Sequence, residues 1–403
     1  MDLKSGYPFW AVKNGLMHAF PPLDADIRCD VAVVGAGITG ALIADELAGH
    51  GHDVVVLDQR DVCWGSTSAS TALLQYENDT HATDLVRRYD QDTALLAYQS
   101  SLEAISSIGE IANAIGDVDF DTCDSLYYAS RRKDRTDLED EFAWRQKHGF
   151  PVRWLNRGTL KDEYQLKAPA AILSTVAARV DPYRLASRLL HRMQKQGARV
   201  FDRTQVASIK ATAHSVQLTT DNGMLVKAQY AVMASGYESQ RWLRQRVARN
   251  LSSYAYITDP IDPVELGWLA NTLLWESARP YLYLRSTGDG RLLAGGEDDD
   301  HDIPARRDRS VDRKAATLQR KVSRLFPHLK AQAAFAWAGT FAETRDGLPL
   351  FGPHPEQGPR VLFALAYGGN GITYSMLGAG LLRAQIEHRA HPLTALFSFS
   401  RLD

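Results

Sequence analysis

The apolar positions near the start of the chain predict a strand–helix–strand unit. Cys29–Val34, "CDVAVV", is a short apolar run typical of a buried parallel strand. The stretch that follows, "ALIADELAGHG", carries apolar residues at helical spacing and ends in glycines. A second apolar run, Asp53–Leu57, predicts the next strand. Such a unit sets two parallel strands side by side with the helix packed across them.

Three glycines lie in the turn between the first strand and the helix. We expect Gly35 to permit the tight turn, Gly37 to let a pyrophosphate approach the backbone, and Gly40 to let the helix pack on the strand. The helix N-terminus would offer free N–H groups and a positive dipole end to the phosphates. Asp58, after the second strand, can accept hydrogen bonds from a ribose hydroxyl. The pattern predicts a bound adenine dinucleotide; a glycine-rich turn without a ligand is the alternative. The predicted contacts also include Ala36, Ile38, Thr39, Gln59 and Arg60.

Two further stretches bear on whether the dinucleotide is FAD or NAD. The run "GSTSAST", just after the second strand, offers hydroxyls and backbone N–H groups to a long polar ligand, although a self-contained Ser/Thr loop is the alternative. Near the C-terminus, "YGGNGIT" is a glycine turn before a predicted helix, and its N–H groups suit the electron-rich edge of a flavin. A simple turn between strand and helix is the alternative there. The predicted FAD contacts in the two stretches are Gly65, Ser66, Thr67, Ser68, Ser70, Thr71, Gly368, Gly369, Asn370, Gly371, Ile372 and Thr373.

These motifs, in this order, resemble those of the D-amino-acid oxidase, glycine oxidase and sarcosine oxidase family of FAD-dependent amine oxidoreductases. The stretches "DPYRLASRLLHRMQKQGARV", "VMASGYES" and "ETRDGLPLFGP" contribute to the resemblance, which extends from about Asp30 to the last predicted helix. It implies an α/β fold in which a Rossmann-like FAD-binding domain and a second, α+β substrate domain with an antiparallel sheet are interleaved in sequence. It also implies that Val206 contacts adenine and that a strand ends beside FAD at Ala234, Ser235 and Gly236.

The same resemblance suggests how the chain is divided. Segments 28–91, 170–250 and 328–403 are predicted to form the FAD-binding domain, and segments 92–169 and 251–327 the substrate domain. Asp181 and Pro182 predict a helix start in the former. Arg279–Gly296 predicts a strand pair in the latter, whereas the acidic run Glu297–Asp300 predicts a solvated loop.

Composition narrows the possible functions. A chain of 403 residues favours two domains. Lys+Arg 46 against Asp+Glu 48 gives a net charge of −2, without the basic excess of a nucleic-acid-binding protein. Three cysteines without a Cys-x-x-Cys pair favour a reducing compartment, and the lack of a long apolar segment argues against a signal peptide or membrane span. We therefore expect a cytoplasmic protein, and no spacing predicts a metal site.

The resemblance implies that the substrate is a small amine or amino acid. A hydride would pass from the carbon of its C–N bond to flavin, and water would hydrolyse the resulting imine. In members that act on simple amino acids, an arginine after a "WAG" tripeptide binds the substrate carboxylate. Phe341 stands at that position here, which puts a small α-amino acid in doubt. The predicted substrate-site residues are Arg285 as a replacement, Tyr256, Tyr283, and Glu343 as a partner for a cationic amine.

Alternatives remain for these residues and for the reaction. Arg285 is otherwise a surface strand residue, the tyrosines belong to core or rim, and Glu343 pairs with Arg345. The flavin-linking cysteine of sarcosine-oxidase-like members corresponds to about Gly339 here, so we expect noncovalent FAD. Their oxygen-activating lysine corresponds to Leu293, so oxygen need not be the electron acceptor. A dehydrogenase that reduces a quinone or carrier protein, and a flavin-binding subunit without turnover, are the alternative functions.

Overall fold

A computed structural model describes residues 2–402, which fold into two β-sheets covered by helices. The strands are β1 (Lys4–Gly6), β2 (Ile27–Val34), β3 (Val54–Leu57), β4 (Leu73–Gln75), β5 (Asp121–Tyr128), β6 (Val152–Asn156), β7 (Ala170–Arg179), β8 (Arg199–Phe201), β9 (Val206–Ala211), β10 (Val216–Thr220), β11 (Leu225–Met233), β12 (Arg249–Ile257), β13 (Thr272–Glu276), β14 (Leu282–Ser286), β15 (Leu292–Asp299), β16 (Phe335–Glu343), β17 (Leu350–Pro353) and β18 (Val361–Leu365). The helices are α1 (Phe9–Asn14), α2 (Ile38–Gly49), α3 (Ser66–Ala69), α4 (Ala82–Arg88), α5 (Gln91–Ile115), α6 (Asp134–Lys147), α7 (Arg157–Tyr164), α8 (Pro182–Lys195), α9 (Pro263–Leu266), α10 (Pro304–Leu325) and α11 (Gly371–Ile386). Short 3-10 helices span Gly236–Trp242, Gly267–Ala270 and Phe399–Leu402.

The first sheet has a parallel core assembled from distant parts of the sequence. Its order is β17-β18-β11-β2-β3-β8, with β10 on β11 and β9 on β10, and the strands from β18 to β8 are parallel. Val34 is level with both Leu57 and Met233, so the loops after these strands leave the sheet at one edge. All four residues of β3 are buried, as expected for a parallel strand covered on both faces.

Two helices that cover the first sheet start where the sequence predicts. α2 follows the glycine turn and packs against α8 and α11. α8 begins after Asp181, whose side chain accepts hydrogen bonds from the backbone N–H groups of Tyr183 and Arg184, with Pro182 in the first turn. This is the expected N-cap geometry.

The second sheet is largely antiparallel. Its order is β1-β16-β12-β15-β14-β13-β5-β7-β4, with β6 paired to β7, and β5 with β13 is its parallel pair within residues 2–402. β14 and β15 form the predicted hairpin, and α10 packs across β12, β15 and β16. The predicted class, a Rossmann-like unit beside a second α+β unit, is confirmed.

The structure differs from the sequence-based division at three strands. β4, β7 and β16, predicted within FAD-binding segments, belong to the second sheet, where β4 pairs with β7, β7 with β5, and β16 with β12. An apolar run predicts a strand but not its partner, because pairing depends on distant segments. Asp403, the end of one predicted segment, lies outside the described residues, and the remaining division into domains stays a prediction.

The acidic run was also predicted wrongly. Glu297–Asp299 belong to β15 rather than to a solvated loop, while Asp300 is exposed. Lys321 Nζ lies 2.7 Å from Glu297 Oε1, and Lys314 Nζ lies 2.7 Å from Asp299 Oδ1. Both lysines come from α10, which supplies the cations that the local sequence lacks.

Candidate active site

A cavity lies between the two sheets. Gly35, Asp58, Ala234 and Ala366, each of which directly follows a parallel strand of the first sheet, line it. β12 and β16 of the second sheet contribute the opposite wall. Ligands of open α/β sheets bind in the crevice outside the carboxyl ends of the strands, so the cavity has the position expected of a cofactor site.

The turn after β2 requires glycine at two positions. Gly35 has φ +116°, and a Cβ there would lie 2.4 Å from the carbonyl oxygen of Ala234. A Cβ on Gly40 would lie 1.8 Å from the carbonyl oxygen of Gly35. Larger residues would therefore separate α2 from the strand and move the helix N-terminus away from the cavity.

The N-terminus of α2 has unsatisfied polar groups that fit a phosphate. Its first N–H groups lack intrahelical acceptors, and the N–H of Ile38 donates to Thr67 Oγ1 at 2.9 Å. Ser66 Oγ is buried and has no hydrogen-bond partner within residues 2–402, and Ser66 lines the cavity. Gly37 lines the same wall, and Thr67 Oγ1 lies 2.8 Å from where its Cβ would be. These features fit the pyrophosphate of a dinucleotide.

Asp58 stabilises the turn as well as lining the cavity. Its Oδ2 accepts a hydrogen bond from the Ala36 N–H at 2.7 Å, and its Oδ1 accepts one from the Arg60 N–H at 2.9 Å. Burial raises the pKa of this carboxyl to about 6, although both hydrogen bonds oppose the shift. Each oxygen retains a lone pair for a ribose hydroxyl.

A buried carboxylate that sequence reasoning missed organises the next part of the cavity. Glu238, in the 3-10 helix after β11, accepts hydrogen bonds from Gln59 Nε2 at 2.7 Å and from Arg60 Nη1 at 2.9 Å. Arg241, in the same helix, donates to the carbonyl oxygen of Val206 at 3.3 Å. Glu238 belongs to the stretch "VMASGYES", but its role could not be predicted, because its partners Gln59 and Arg60 follow a different strand.

The turn before α11 forms another wall. The N–H of Gly369 donates to Asp79 Oδ2 at 2.6 Å, and Asn370 Nδ2 donates to the carbonyl oxygens of Gln75 and Glu77. Gly371 and Ile372, the first residues of α11, line this end of the cavity, so the free N–H groups of the helix start lie beside it. A helix N-terminus here stabilises negative charge on the pyrimidine edge of a reduced flavin.

Most of the predicted cofactor residues line the cavity, and four act from behind it. Ala36 donates to Asp58, and Gly40 packs α2 on the turn. Ser68 is buried and donates to the Gly65 carbonyl oxygen, while Thr373 Oγ1 donates to that of Gln75. The predicted residues on the cavity wall are Gly35, Gly37, Ile38, Thr39, Asp58, Gln59, Arg60, Gly65, Ser66, Thr67, Ser70, Thr71, Val206, Ala234, Ser235, Gly236, Gly368, Gly369, Asn370, Gly371 and Ile372.

The four predicted substrate-site residues lie in different surroundings. Tyr283 lines the cavity, and its hydroxyl oxygen accepts a hydrogen bond from Thr71 Oγ1 at 3.3 Å. Burial raises the pKa of Tyr283 to about 12. Tyr256 is fully buried in the core under α10, because its neighbour Ala255 takes the cavity-facing position of β12. Its hydroxyl has no hydrogen-bond partner among residues 2–402.

Arg285 is a structural residue rather than a free cation. It is 1% exposed and stacks over Trp10, and it donates to the carbonyl oxygens of Thr71, Val180 and Ser286. Burial lowers its pKa to about 10. Because Arg285 donates to backbone carbonyl oxygens, it cannot replace the carboxylate-binding arginine. Its burial also excludes the alternative that it is a surface strand residue.

Glu343 ends β16 and is half-buried beside other charges. Burial, followed by the carboxylates of Asp79 and Asp298, raises its pKa, while Arg279 opposes the shift. No ion pair joins Glu343 to Arg345 within residues 2–402, so the alternative salt bridge is wrong.

Several cavity residues were missed from sequence. Arg279 lines the cavity, stacks 4.4 Å from the centre of the Tyr281 ring, and has no hydrogen-bond or ion-pair partner within the described chain. Asp79, Tyr237 and Trp275 also line the cavity. Arg279 lies in the predicted strand-pair segment, six residues before Arg285, so inspection of every arginine near β14 could have found it.

Comparisons with known proteins identify the family. Residues 30–385 match the family described as "FAD dependent oxidoreductase". The chain belongs to this family. It is 30% identical over 387 residues to a glycine oxidase of Geobacillus kaustophilus, covering 93% of this chain and 96% of that protein. It is 27% identical over 395 residues to the gamma-glutamylputrescine oxidoreductase of Escherichia coli, covering 94% and 88%. The crystal structure of the Geobacillus glycine oxidase superposes with a TM-score of 0.79 at 23% identity, over 93% of this chain and 99% of that one.

Membership of the FAD-dependent oxidoreductase family confirms the predicted cofactor and enzyme class. The cavity fits FAD, because it joins three features in one continuous site: the N-terminus of α2, the Ser66 hydroxyl, which has no hydrogen-bond partner within residues 2–402, and the turn before α11. Among residues 2–402, no helix combines the length and apolar character needed to cross a bilayer.

Proposed function

We propose that this FAD-dependent oxidoreductase oxidises a C–N bond of a small amine. The observation that carries the proposal is the continuity of the cavity from the dinucleotide turn to a chamber lined by aromatic rings and a carboxylate. Tyr237, Tyr281 and Tyr283 line that chamber together with Asp79. The similarity to a glycine oxidase and a gamma-glutamylputrescine oxidoreductase supports an amine nitrogen beside the carbon that is oxidised.

The chemistry divides between cofactor and protein. FAD, when bound, accepts a hydride from the carbon beside the amine nitrogen, leaving an iminium that water hydrolyses to a carbonyl compound and an amine or ammonia. The aromatic walls exclude water and orient the substrate C–H bond. Tyr283 is a neutral hydrogen-bonding wall residue, since its raised pKa keeps it protonated at neutral pH.

The site selects against small α-amino acids as principal substrates. Phe341 lines the cavity at the position where the resemblance to the family implies a carboxylate-binding arginine, and Arg285 donates to backbone carbonyl oxygens. Three carboxyl groups, those of Asp79, Asp298 and Glu343, lie in electrostatic range of one another, with Arg279 as the cation among them. This balance favours a cationic amine.

We further propose noncovalent FAD and a reducing, cytoplasmic location. Cys29, Cys63 and Cys123 are all buried and free, and no cysteine lines the cavity among the described residues. Burial raises the pKa values of all three thiols, which keeps them as unreactive thiols.

Product analysis tests the amine reaction. Purified protein with an amine and either oxygen or a quinone should release a carbonyl compound and ammonia or an alkylamine in equal amounts. Stripping FAD should abolish release, and adding FAD should restore it. If FAD-loaded protein yields no such products from amines or amino acids with either acceptor, the proposed function is wrong.

A further inference from the structure

One cationic and three anionic side chains gather beside Tyr281 and Tyr283; we call Asp79, Arg279, Asp298 and Glu343 the acidic subsite. Asp79 and Arg279 line the cavity. Glu343 lies on the same face of β16 as Phe341, which lines the cavity. The Asp298 carboxyl lies beside the hydroxyl of Ser253, another cavity residue, and both carboxyl groups are within electrostatic range of Asp79 and Arg279. With all four ionised, the group carries an excess of two negative charges.

One buried carboxylate oxygen of the acidic subsite has no hydrogen-bond partner in the described part of the chain. Asp298 Oδ1 is buried and accepts no hydrogen bond within residues 2–402, although the Ser253 hydroxyl is close to the carboxyl. Lys314 is coupled to Asp298, but its Nζ lies against Asp299 and the Glu297 carbonyl oxygen. A buried carboxylate without a partner costs free energy that a bound cation would recover.

An alkylammonium group suits this subsite better than a metal ion. No cluster of three or more His, Cys, Asp or Glu within residues 2–402 is arranged to hold a metal. An ammonium donates three hydrogen bonds, which oxygens such as Asp298 Oδ1 can accept. Tyr237, Trp275, Tyr281 and Tyr283 line the same cavity, and their rings attract cations and pack against methylene groups.

The ammonium held here cannot be the reacting one. The reacting nitrogen must release its proton, because its lone pair forms the C=N bond, whereas a carboxylate cluster stabilises the protonated form. We propose that the substrate is a diamine or polyamine, an inference that rests on the proposed amine oxidation. One nitrogen reacts at the flavin, while a second, distal ammonium is held by the acidic subsite.

The experiment compares ligands on the FAD-loaded protein without oxygen. α,ω-Diamines of three to six carbons are titrated beside n-alkylamines of equal length and beside ornithine, which adds a carboxylate. Binding is followed by the perturbation of the oxidised flavin spectrum, and reduction by its bleaching. At least one diamine should bind about 10- to 100-fold more tightly than the matched alkylamine. Equal affinities across every length would overturn the proposal.

Substitutions then locate the second ammonium. Asp298→Asn and Glu343→Gln, nearly isosteric changes, should each reduce the ratio of diamine affinity to alkylamine affinity about tenfold. Glu265→Gln, which removes an exposed charge, is the matched control and should change neither. If the variants weaken diamines and alkylamines alike, the carboxylates serve the reacting amine and the proposal is wrong. If diamines bind preferentially but no amine bleaches the flavin, the subsite stands and the proposed oxidation fails.

Discussion

Asp79 Oδ2 accepts a hydrogen bond from the backbone N–H of Gly369 at 2.6 Å, which joins the segment after β4 to the turn before α11. This hydrogen bond brings a carboxylate to the turn where the pyrimidine edge of the flavin is expected. Reduction of flavin adds negative charge at that edge, so the carboxylate should disfavour the reduced form.

Asp79→Asn should therefore raise the midpoint potential of bound FAD, on the order of 30 mV for the two-electron couple. The asparagine oxygen can still accept from Gly369, so FAD affinity should change little. Spectroelectrochemical titration measures the potential, and Asp84→Asn, a change at an exposed helix position, is the control. An unchanged or lowered potential would contradict the expected placement of flavin.

Two glycines of α2 provide a paired test of the dinucleotide turn. Gly40→Ala puts a Cβ 1.8 Å from the Gly35 carbonyl oxygen, so we expect loss of bound FAD and roughly 2 kcal/mol or more of stability. Gly49→Ala meets no atom within 4 Å and should be neutral or stabilise by up to about 1 kcal/mol. FAD fluorescence and thermal denaturation report both effects; retention of FAD by Gly40→Ala would refute the turn geometry.

The two arginines near β14 should respond oppositely to the same change. Arg285→Leu leaves buried carbonyl oxygens of Thr71 and Val180 without donors, so it should cost about 3 kcal/mol of stability. Arg279→Leu, at an exposed residue, should change stability by less than about 0.5 kcal/mol but tighten diamine binding, because it removes a positive charge. Denaturant titration measures the stability of both variants, and flavin-perturbation titration measures their diamine affinity. Equal losses of stability would show that Arg279 is structural as well.

Diamine affinity should depend on pH in a defined direction. Burial raises the pKa of Asp298 to about 6, and Asp79 adds to the shift, whereas Ser253, Arg279 and Lys314 oppose it. Below that pKa the free carboxyl is protonated, and binding an ammonium must expel the proton, so affinity should fall as pH drops through about 6.

The slope of diamine affinity against pH identifies the carboxyl groups whose protonation weakens binding. Glu343, whose pKa is also raised, should steepen the fall, and Asp298→Asn should flatten it. Flavin-perturbation titrations at several pH values from about 5 to 8 give the slope, since aliphatic ammonium groups near a pKa of about 10 stay protonated throughout. A pH-independent affinity would remove Asp298 from the subsite.

FAD should come away from the unfolded protein. Gly339 stands at the position where the resemblance to sarcosine-oxidase-like members implies a flavin-linking cysteine, and the three cysteines, all buried, lie away from the cavity wall that residues 2–402 form. Acid precipitation should leave a colourless pellet and a yellow supernatant. A pellet that stays yellow after washing would show a covalent bond.

The sequence predicted the parts of the site that local chemistry encodes. The turn from Gly35 to Gly40 and the N-cap at Asp181 depend on residues close in sequence, and the structure has both. Asp79 and Arg279 belong to no motif, and only the packing of the two sheets brings them together.

Residues on strands were harder to assign than residues in turns. Tyr256 and Tyr283 are both strand tyrosines, yet one faces a core and the other the cavity, because side chains alternate along a strand whose register the sequence leaves open. Asp298 shows that strand membership is also hard to predict from sequence. The acidic run around it belongs to β15, and the lysine that pairs with its neighbour Asp299 comes from α10.

Anaerobic titration of the FAD-loaded protein with amines is the sharpest test of amine oxidation. We expect an amine, and a diamine more readily than its monoamine counterpart, to bleach the visible band of oxidised flavin, and ammonia or an alkylamine to appear in the same solution. Flavin that stays fully oxidised with every amine and amino acid, in protein shown to bind them, would contradict amine oxidation.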